Sequence, residues 1–332
     1  MRKKAIALLS GGLDSVLAIR LIQMQGIEVV AFNVISPFSP FPKKGKEGSQ
    51  AVIAAKELGV ELKVVCLGIE YLRIIEHPQF GYGRNLNPCI DCRIYTLNRA
   101  KEFMDEIGAS FIVTGEVLGQ RPMSQTKDKM ELIERECKLS GLIVRPLSAK
   151  LLPVTIPEND GLLDRERLFD ISGRTRKVQL QLAEQLNIHE FSAPAGGCML
   201  TDEIFARRLK DLFTHKRGYT IEDVYLLRLG RHFRLNDTLK ILVGRNDSEN
   251  VKMRSLLPNG YASFSPLDFP GPHVISDGEV GEDEKHTIGM ILCYYSHKVR
   301  FPAMIKHEGD NMSEVFGIAE LVDEEFIKGI RI

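Results

Sequence analysis

Ser10-Gly11-Gly12-Leu13-Asp14-Ser15 is the stretch whose reading decides the fold. An apolar run, Ala5 to Leu9, precedes it and reads as a buried strand; Val16-Leu17-Ala18-Ile19-Arg20-Leu21-Ile22 follows with the apolar spacing of a helix. Strand, glycine turn and helix start therefore come in immediate succession. Two glycines let the backbone approach a ligand closely, and Ser15 falls where a helix N-terminus offers free N–H groups and a partial positive charge. Phosphate or pyrophosphate is the ligand that such a turn holds. The blander reading, a turn that merely joins a strand to a helix, leaves six specified residues in this context unexplained.

Working outward, Ile27 to Val34 reads as a second strand, and the loop from Ser36 to Lys44 carries too many prolines for regular structure. A helix from about Ser49 to Leu58 leads across Gly59 to a third strand, Leu62 to Leu67. This alternation predicts a parallel sheet with crossover helices, whose ligands bind beyond the carboxyl ends of the strands, where the glycine turn lies. Glu76 to Asn87 reads as a loop that delivers Asn87-Pro88-Cys89-Ile90-Asp91-Cys92, followed by a helix from Arg93 to Ile107. A fourth strand, Ser110 to Thr114, runs into a polar and glycine-containing stretch from Gly115 to Thr126. A fifth, Gly141 to Val144, runs into Arg145-Pro146-Leu147, and a helix from Thr175 to Leu186 closes the domain. The expected architecture is an α/β domain with a mostly parallel five-strand sheet over residues 1–200, then a smaller α+β domain over residues 201–332.

A chain of 332 residues has room for about two such domains. Hydrophobic content of 44% with charged content of 27% is ordinary for a soluble globular protein. The apolar run after Arg2, Lys3 and Lys4 is too short for a signal peptide, and no run approaches the ~18 to 20 apolar residues of a membrane span. A cytoplasmic protein without a membrane partner is expected. Formal net charge is zero, so a nucleic acid must be met by a local basic patch. Six cysteines in such a chain argue against a disulfide scaffold, and the Cys89/Cys92 spacing suggests metal or redox chemistry.

The glycine turn lacks the Lys-Ser/Thr ending of a P-loop and is not G-x-G-x-x-G. It resembles the PP-loop of the ATP pyrophosphatases, of adenine nucleotide alpha hydrolase-like fold, which cleave ATP between the α and β phosphates and leave AMP on an acceptor oxygen. Val113-Thr114-Gly115-Glu116-Val117-Leu118-Gly119-Gln120, with Ser124-Gln125-Thr126 and Arg145-Pro146-Leu147, is similar to the catalytic domain of the tRNA 4-thiouridine synthetases over roughly residues 1–200. The Asn-Pro-Cys segment is similar to one in the tRNA 2-thiouridylases. The resemblance implies ATP-dependent thiolation of a tRNA uridine, at O4 or O2. Ser10, Gly11, Gly12, Asp14 and Ser15 would grip the phosphates, and Mg²⁺ would offset their charge. Gly115, Gln120, Ser124 and Gln125 would line the nucleotide or uridine pocket, with sulfur drawn from a persulfide protein or sulfide. Those synthetases usually carry a THUMP domain before the PP-loop and some a rhodanese domain at the end; neither reads in this sequence.

Cys198 lies in Ala193-Pro194-Ala195-Gly196-Gly197-Cys198-Met199, where the resembled synthetases carry their active-site cysteine. A glycine-rich loop near helix N-termini can hold a cysteine as the reactive thiolate. Cys89 and Cys92 are expected on a loop at the same edge. Three readings compete. In one, Cys198 carries or receives a persulfide that Cys89 or Cys92 resolves. In another, Cys89, Cys92 and Cys198 bind a [4Fe-4S] cluster with one iron left open. The third is a structural zinc, which wants a fourth ligand, or a pair without chemistry. Cys66, in an apolar strand, and Cys137 and Cys293, without partner motifs, read as packed thiols.

After Cys198, basic residues recur among acidic ones, which by itself reads as a solvated surface. Yet Leu229-Gly230-Arg231-His232-Phe233-Arg234 and Ile241-Leu242-Val243-Gly244-Arg245-Asn246 place Arg231, Arg234 and Arg245 around a hairpin-like strand pair that can track a phosphate backbone. This stretch, with Phe269-Pro270-Gly271-Pro272-His273, is similar to the RNA-binding domain of NFACT proteins, which implies tRNA as its partner. His273, Tyr294, Tyr295, His297 and Lys298 could add base stacking, although single aromatics in strands are more often core. Two rivals remain: a PP-loop amide-forming ligase acting on a small molecule, which leaves the three cysteines idle, and a non-catalytic RNA-binding protein that senses ATP.

Overall fold

The structure, a computed structural model, describes residues 3–39, 50–192, 198–309 and 312–332. The chain divides into two compact units, 1–199 and 200–332. The first runs β1 (Lys4–Leu8), α1 (Leu13–Gln23), β2 (Glu28–Ile35), α2 (Gln50–Leu58), β3 (Leu62–Cys66), α3 (Ile69–Glu76), α4 (Cys89–Ile107), β4 (Phe111–Val113), α5 (Lys127–Glu136), β5 (Ile143–Val144), α6 (Ile156–Asn159) and α7 (Lys177–Gln185). Its five strands, in the order β3-β2-β1-β4-β5, are all parallel, as the alternation of strand and helix signals requires. Most of the proline-rich loop, from Pro40, lies outside the described residues, as does Ser49 before α2.

Parallel strands covered on both faces should be apolar along their buried length, and β1 is from Ala5 to Leu8. Ala5 and Ala7 face the core built with α1, α2 and α7, while Ile6 faces the one built with α4 and α5. Helix α1 packs against β1, β2, α2 and α7, so Val16, Leu17 and Ile19 are fully buried on several sides of it. Truncating Leu17 to Ala in such a place costs about 2–5 kcal/mol. The element that begins at the glycine turn is thereby held rigid.

The second unit runs α8 (Glu203–His215), α9 (Ile221–Leu226), β6 (Arg231–Arg234), β7 (Lys240–Val243), α10 (Asp247–Ser255), β8 (Tyr261–Pro266), β9 (Val274–Asp277), α11 (Glu282–Tyr294), β10 (Ala303–Gly309), β11 (Met312–Ile318) and α12 (Glu324–Gly329). Its six strands, in the order β11-β10-β8-β9-β7-β6, pair antiparallel throughout. Phe233, Ile241, Phe264 and Ile305 form one core with Ile288 and Ile291 of α11; Leu242 and Ile275 form another with Leu226 of α9 and Met253 of α10. This is the α+β domain expected. No helix among the described residues is long and apolar enough to cross a membrane.

Candidate active site

In the first sheet β1 lies between β2 and β4, so the connections that leave the carboxyl ends of β1 and β4 run in opposite directions. The crevice opened at such a point is where parallel sheets bind ligands. The loops after β1 and β4 both line it, and glycine lets them meet. Gly11 has φ of +78°, and a Cβ there would lie 2.5 Å from the carbonyl carbon of Gln50 and 2.7 Å from the nitrogen of Ala51. A Cβ on Gly115 would lie 2.5 Å from both the carbonyl carbon of Asp14 and the nitrogen of Ser15. A side chain at Gly11 would collide with the start of α2, and one at Gly115 with the start of α1.

The serines tie the turn together. Ser15 Oγ donates to the carbonyl of Gly12 at 2.8 Å and accepts from the Ser10 N–H at 3.3 Å, while the Gly12 N–H donates to Ser10 Oγ at 3.3 Å. No side chain caps α1, and the Ser15 N–H donates to the Gly12 carbonyl at 3.1 Å, so the N–H groups of Leu13 and Asp14 are those left for an anion.

Asp14 is 8% exposed. Its Oδ2 accepts from Gln120 Nε2 and from Arg176 Nη2, both at 3.2 Å; its Oδ1 is buried and, among the described residues, has no partner. A buried carboxylate oxygen without a donor is costly, and a cation completes it. Asp14 therefore suits Mg²⁺. Gln120 comes from the turn after β4. Gln125, in the same turn and 6% exposed, also buries an Oε1 without a partner. Ser124 beside it is half-buried, its N–H donating to Arg121 at 3.3 Å.

Cys89 and Cys92 do not lie on a loop. Helix α4 starts at Cys89, and the pair occupies its first turn. The cause is tertiary: the Cys92 N–H bonds to the Pro88 carbonyl at 2.9 Å, and buried Asp91 accepts from the N–H groups of Gln79 at 2.7 Å and Phe80 at 3.2 Å, folding the preceding loop onto the helix start. Spacing of three residues sets both sulfurs on one helix face. Tyr71 of α3 donates to Cys92 Sγ at 2.9 Å. Burial pushes the Cys92 thiol up to about 11; the Tyr71 hydroxyl works against this, and neighbouring Cys198 and Cys89 add to it. Burial also raises Cys89, opposed by Asn87, Arg121 and Lys129.

Cys198 is exposed. The residues 193–197 before it lie outside the described residues, but Ser192 donates to the Gly11 carbonyl at 2.8 Å and bridges Gly12, so the chain passes the glycine turn shortly before reaching this cysteine. Three thiols that act on one another suit an iron–sulfur cluster by the chemistry of their donors. Among the described residues, however, no three His, Cys, Asp or Glu side chains are arranged to hold a metal ion. Cys137 and Cys293 are buried as expected, but Cys66 is exposed, because β3 is an edge strand with one uncovered face.

In the second unit, β6 and β7 form the expected antiparallel pair, Arg231 opposite Val243 and Arg234 opposite Lys240. Their arginines are engaged within the unit. Arg234 grips Asp211 of α8 through Nε at 2.9 Å and Nη2 at 2.8 Å; Arg245 Nε meets Glu249 at 2.9 Å. Arg231 lies 4.6 Å from the Tyr295 ring centroid and donates to the Gly244 carbonyl at 3.3 Å. His273 is buried, with Nδ1 at 3.1 Å from Ser265 Oγ, so it offers no stacking face.

Residues 1–150 match the family model for thiamine biosynthesis protein (ThiI), and residues 230–328 match that for the NFACT protein RNA binding domain. Over residues 1–150 the first unit is thus similar to the ThiI family. Both resemblances read from the motifs hold. A probable tRNA sulfurtransferase of Thermococcus kodakarensis is 26% identical over 186 residues, covering 53% of this chain and 42% of the relative. The tRNA-specific 2-thiouridylase MnmA of Nitratiruptor sp. is 32% identical over 120 residues, 35% of each. The chain thus spans less than half the length of these relatives. A solved 4-thiouridine synthetase–RNA complex with bound ATP aligns over 56% of this chain and 50% of its own at 20% identity, with a TM-score of 0.34.

Within the first unit, the sequence motifs pass over Tyr71, Arg93 and Arg176. Arg93 and Arg145 flank buried Glu116 at 2.8 and 2.9 Å, and Arg145 also pairs with Glu134. Burial alone would raise the Glu116 carboxyl; the two arginines outweigh it and hold it at about 2. This ion network fastens the cysteine helix to the loop after β4. The one signal for Arg176 is the basic run Arg174-Thr175-Arg176-Lys177 directly before α7.

Proposed function

We propose that the chain is an ATP-dependent tRNA thiolase. Support comes from Asp14: a buried carboxylate with one oxygen unfilled, at an uncapped helix start, on the sheet edge that also carries the three cysteines. In the first step the uridine oxygen attacks the α-phosphorus, the bond to the β-phosphate oxygen breaks, and pyrophosphate leaves. The oxygen, now part of an AMP ester, departs when sulfur adds to the ring carbon. The first-turn N–H groups of α1 hold phosphate, and Gln120 orients Asp14. Bound at Asp14, Mg²⁺ supplies positive charge against the phosphates. The NFACT-type domain holds the tRNA, with Arg231 as its phosphate contact.

For the sulfur step we assign Cys89, Cys92 and Cys198 as ligands of a [4Fe-4S] cluster, which supplies an iron open to sulfur. The exposure of Cys198 favours a second reading, in which Cys198 takes a persulfide sulfur and Cys92 or Cys89 resolves it by disulfide exchange. Supplying tRNA, ATP and sulfide should release AMP and pyrophosphate and exchange oxygen for sulfur in one nucleoside, identified by mass analysis as 4-thio or 2-thio. AMP release without tRNA would point to the amide ligase, and tRNA binding without turnover to the ATP sensor. Cys198→Ala should keep pyrophosphate release and lose thiolation. Anaerobic protein should be brown and lose colour in Cys89→Ala; iron-free protein that thiolates when a persulfide-bearing donor replaces sulfide would select the persulfide.

A further inference from the structure

Arg176 stands at the N-cap of α7 without capping it, and its side chain reaches back 162 residues in sequence to Asp14. Its place is set by the strand-like bridge between Leu118 and Ser172 and by the Gly173 N–H, which donates to the Leu118 carbonyl at 2.7 Å. The contact with Asp14 is single and long. Charge-assisted pairs of this kind close to about 2.7–2.9 Å, frequently as a two-pronged fork. Arg176 instead offers one nitrogen at 3.2 Å, while Asp14 Oδ1 stays buried and unpartnered. Both residues therefore keep bonding capacity in reserve, Asp14 for a cation and Arg176 for an anion, beside the uncapped start of α1.

We infer that Arg176 is the group that meets the β- and γ-phosphates of the nucleotide, giving up Asp14 as it does so. Gln120, the other donor to Asp14 Oδ2, keeps that carboxylate in place when the guanidinium turns. Arginine suits the task because it is always charged and its planar fork matches two phosphate oxygens. AMP has neither of those phosphates, so Arg176 distinguishes the substrate from the nucleotide that remains after cleavage. This rests on the ATP reading of the site.

The test is calorimetric binding of ATP, pyrophosphate and AMP to the full chain in Mg²⁺. Arg176→Ala should weaken ATP and pyrophosphate about 10- to 100-fold, the range of a hydrogen bond to a charged group, and leave AMP within about twofold. Arg176→Lys, which keeps the charge without the fork, should lose less. Equal losses for all three ligands would reduce Arg176 to a residue that positions Asp14, and no loss for ATP would likewise overturn the inference; in both cases the ATP reading stands. A wild-type chain that binds neither ATP nor AMP would overturn the ATP reading and the inference together.

Discussion

Asp14 in the first unit and Asp211 in the second are carboxylates of equal exposure, 11% at the side chain, and each faces an arginine. Asp211 is filled: Arg234 takes both oxygens and Lys240 adds a third bond at 2.8 Å. Asp14 is half filled, with two 3.2 Å contacts on one oxygen and none on the other. A completed carboxylate contributes to the fold, whereas one left incomplete in a crevice is kept for a ligand. The same distinction runs through the arginines, since Arg234 and Arg245 are matched by acids of their own unit and Arg176 is only loosely matched.

The largest effects should separate these two aspartates. Asp14→Ala is expected to lower tRNA-dependent pyrophosphate release by about two orders of magnitude or more, on the scale of removing one electrostatic contact to a reacting group, with little change in melting temperature. Asp211→Ala should do the reverse. It strands Lys240, whose side chain is 4% exposed, together with Arg234, and should destabilise the second unit by about 3–5 kcal/mol in urea titrations while ATP binding persists. Wild-type turnover in Asp14→Ala would remove the contrast.

Acid should divide the units next. In the second, burial and then Arg254 depress His273 from 6.5 to about 4, and burial with Lys240 and Arg208 depresses His232 well below its ordinary value. The unfolded chain then binds protons that the folded one refuses, so this stability is present above pH 6.5 and lost as pH falls towards 4. In the first, Glu116 is depressed from 4.5 to about 2, so its contribution is lost only as pH falls from 4.5 towards 2. Hydrogen exchange resolved by peptide, stepped from pH 7 to 3, should show the second unit loosening before the first.

The smallest effect concerns RNA. Reversing the charge of Arg231, Arg234 and Arg245 together should lower the salt slope of tRNA binding, with each lost phosphate contact worth about one. Because Arg234 and Arg245 already hold carboxylates, Arg231→Glu alone should account for most of the change. A single variant with an unchanged slope, beside a triple variant with a large one, would mean that the acid-paired arginines open to the RNA.

Charge patterning was therefore the least legible part of the sequence. Arg231, Arg234 and Arg245 look alike in a list of basic residues, yet their partners lie 4 to 64 positions away on other elements. The Cys89/Cys92 spacing was legible, but not the helix beneath it, since the start of α4 depends on Asp91 capturing the Gln79 and Phe80 N–H groups. Cys66 looked packed because an apolar strand does not announce that it is an edge.

The sequence by itself determined the parallel five-strand sheet, the glycine turn, the antiparallel β6–β7 pair and the two family resemblances. These depend on short-range properties: apolar runs as long as a strand, spacing that matches a helix, and glycine where a backbone must turn left-handed or pass so close to another that an added Cβ would lie 2.5 Å from it. Only the tertiary structure decided that Gly115 closes on Asp14, that Arg176 reaches the same carboxylate, that Cys198 acts on Cys92, and which arginines are neutralised. Those outcomes depend on which distant residues the sheet order brings together, and the strength of a charge or a hydrogen bond is set by its partner and its burial rather than by its neighbours in sequence.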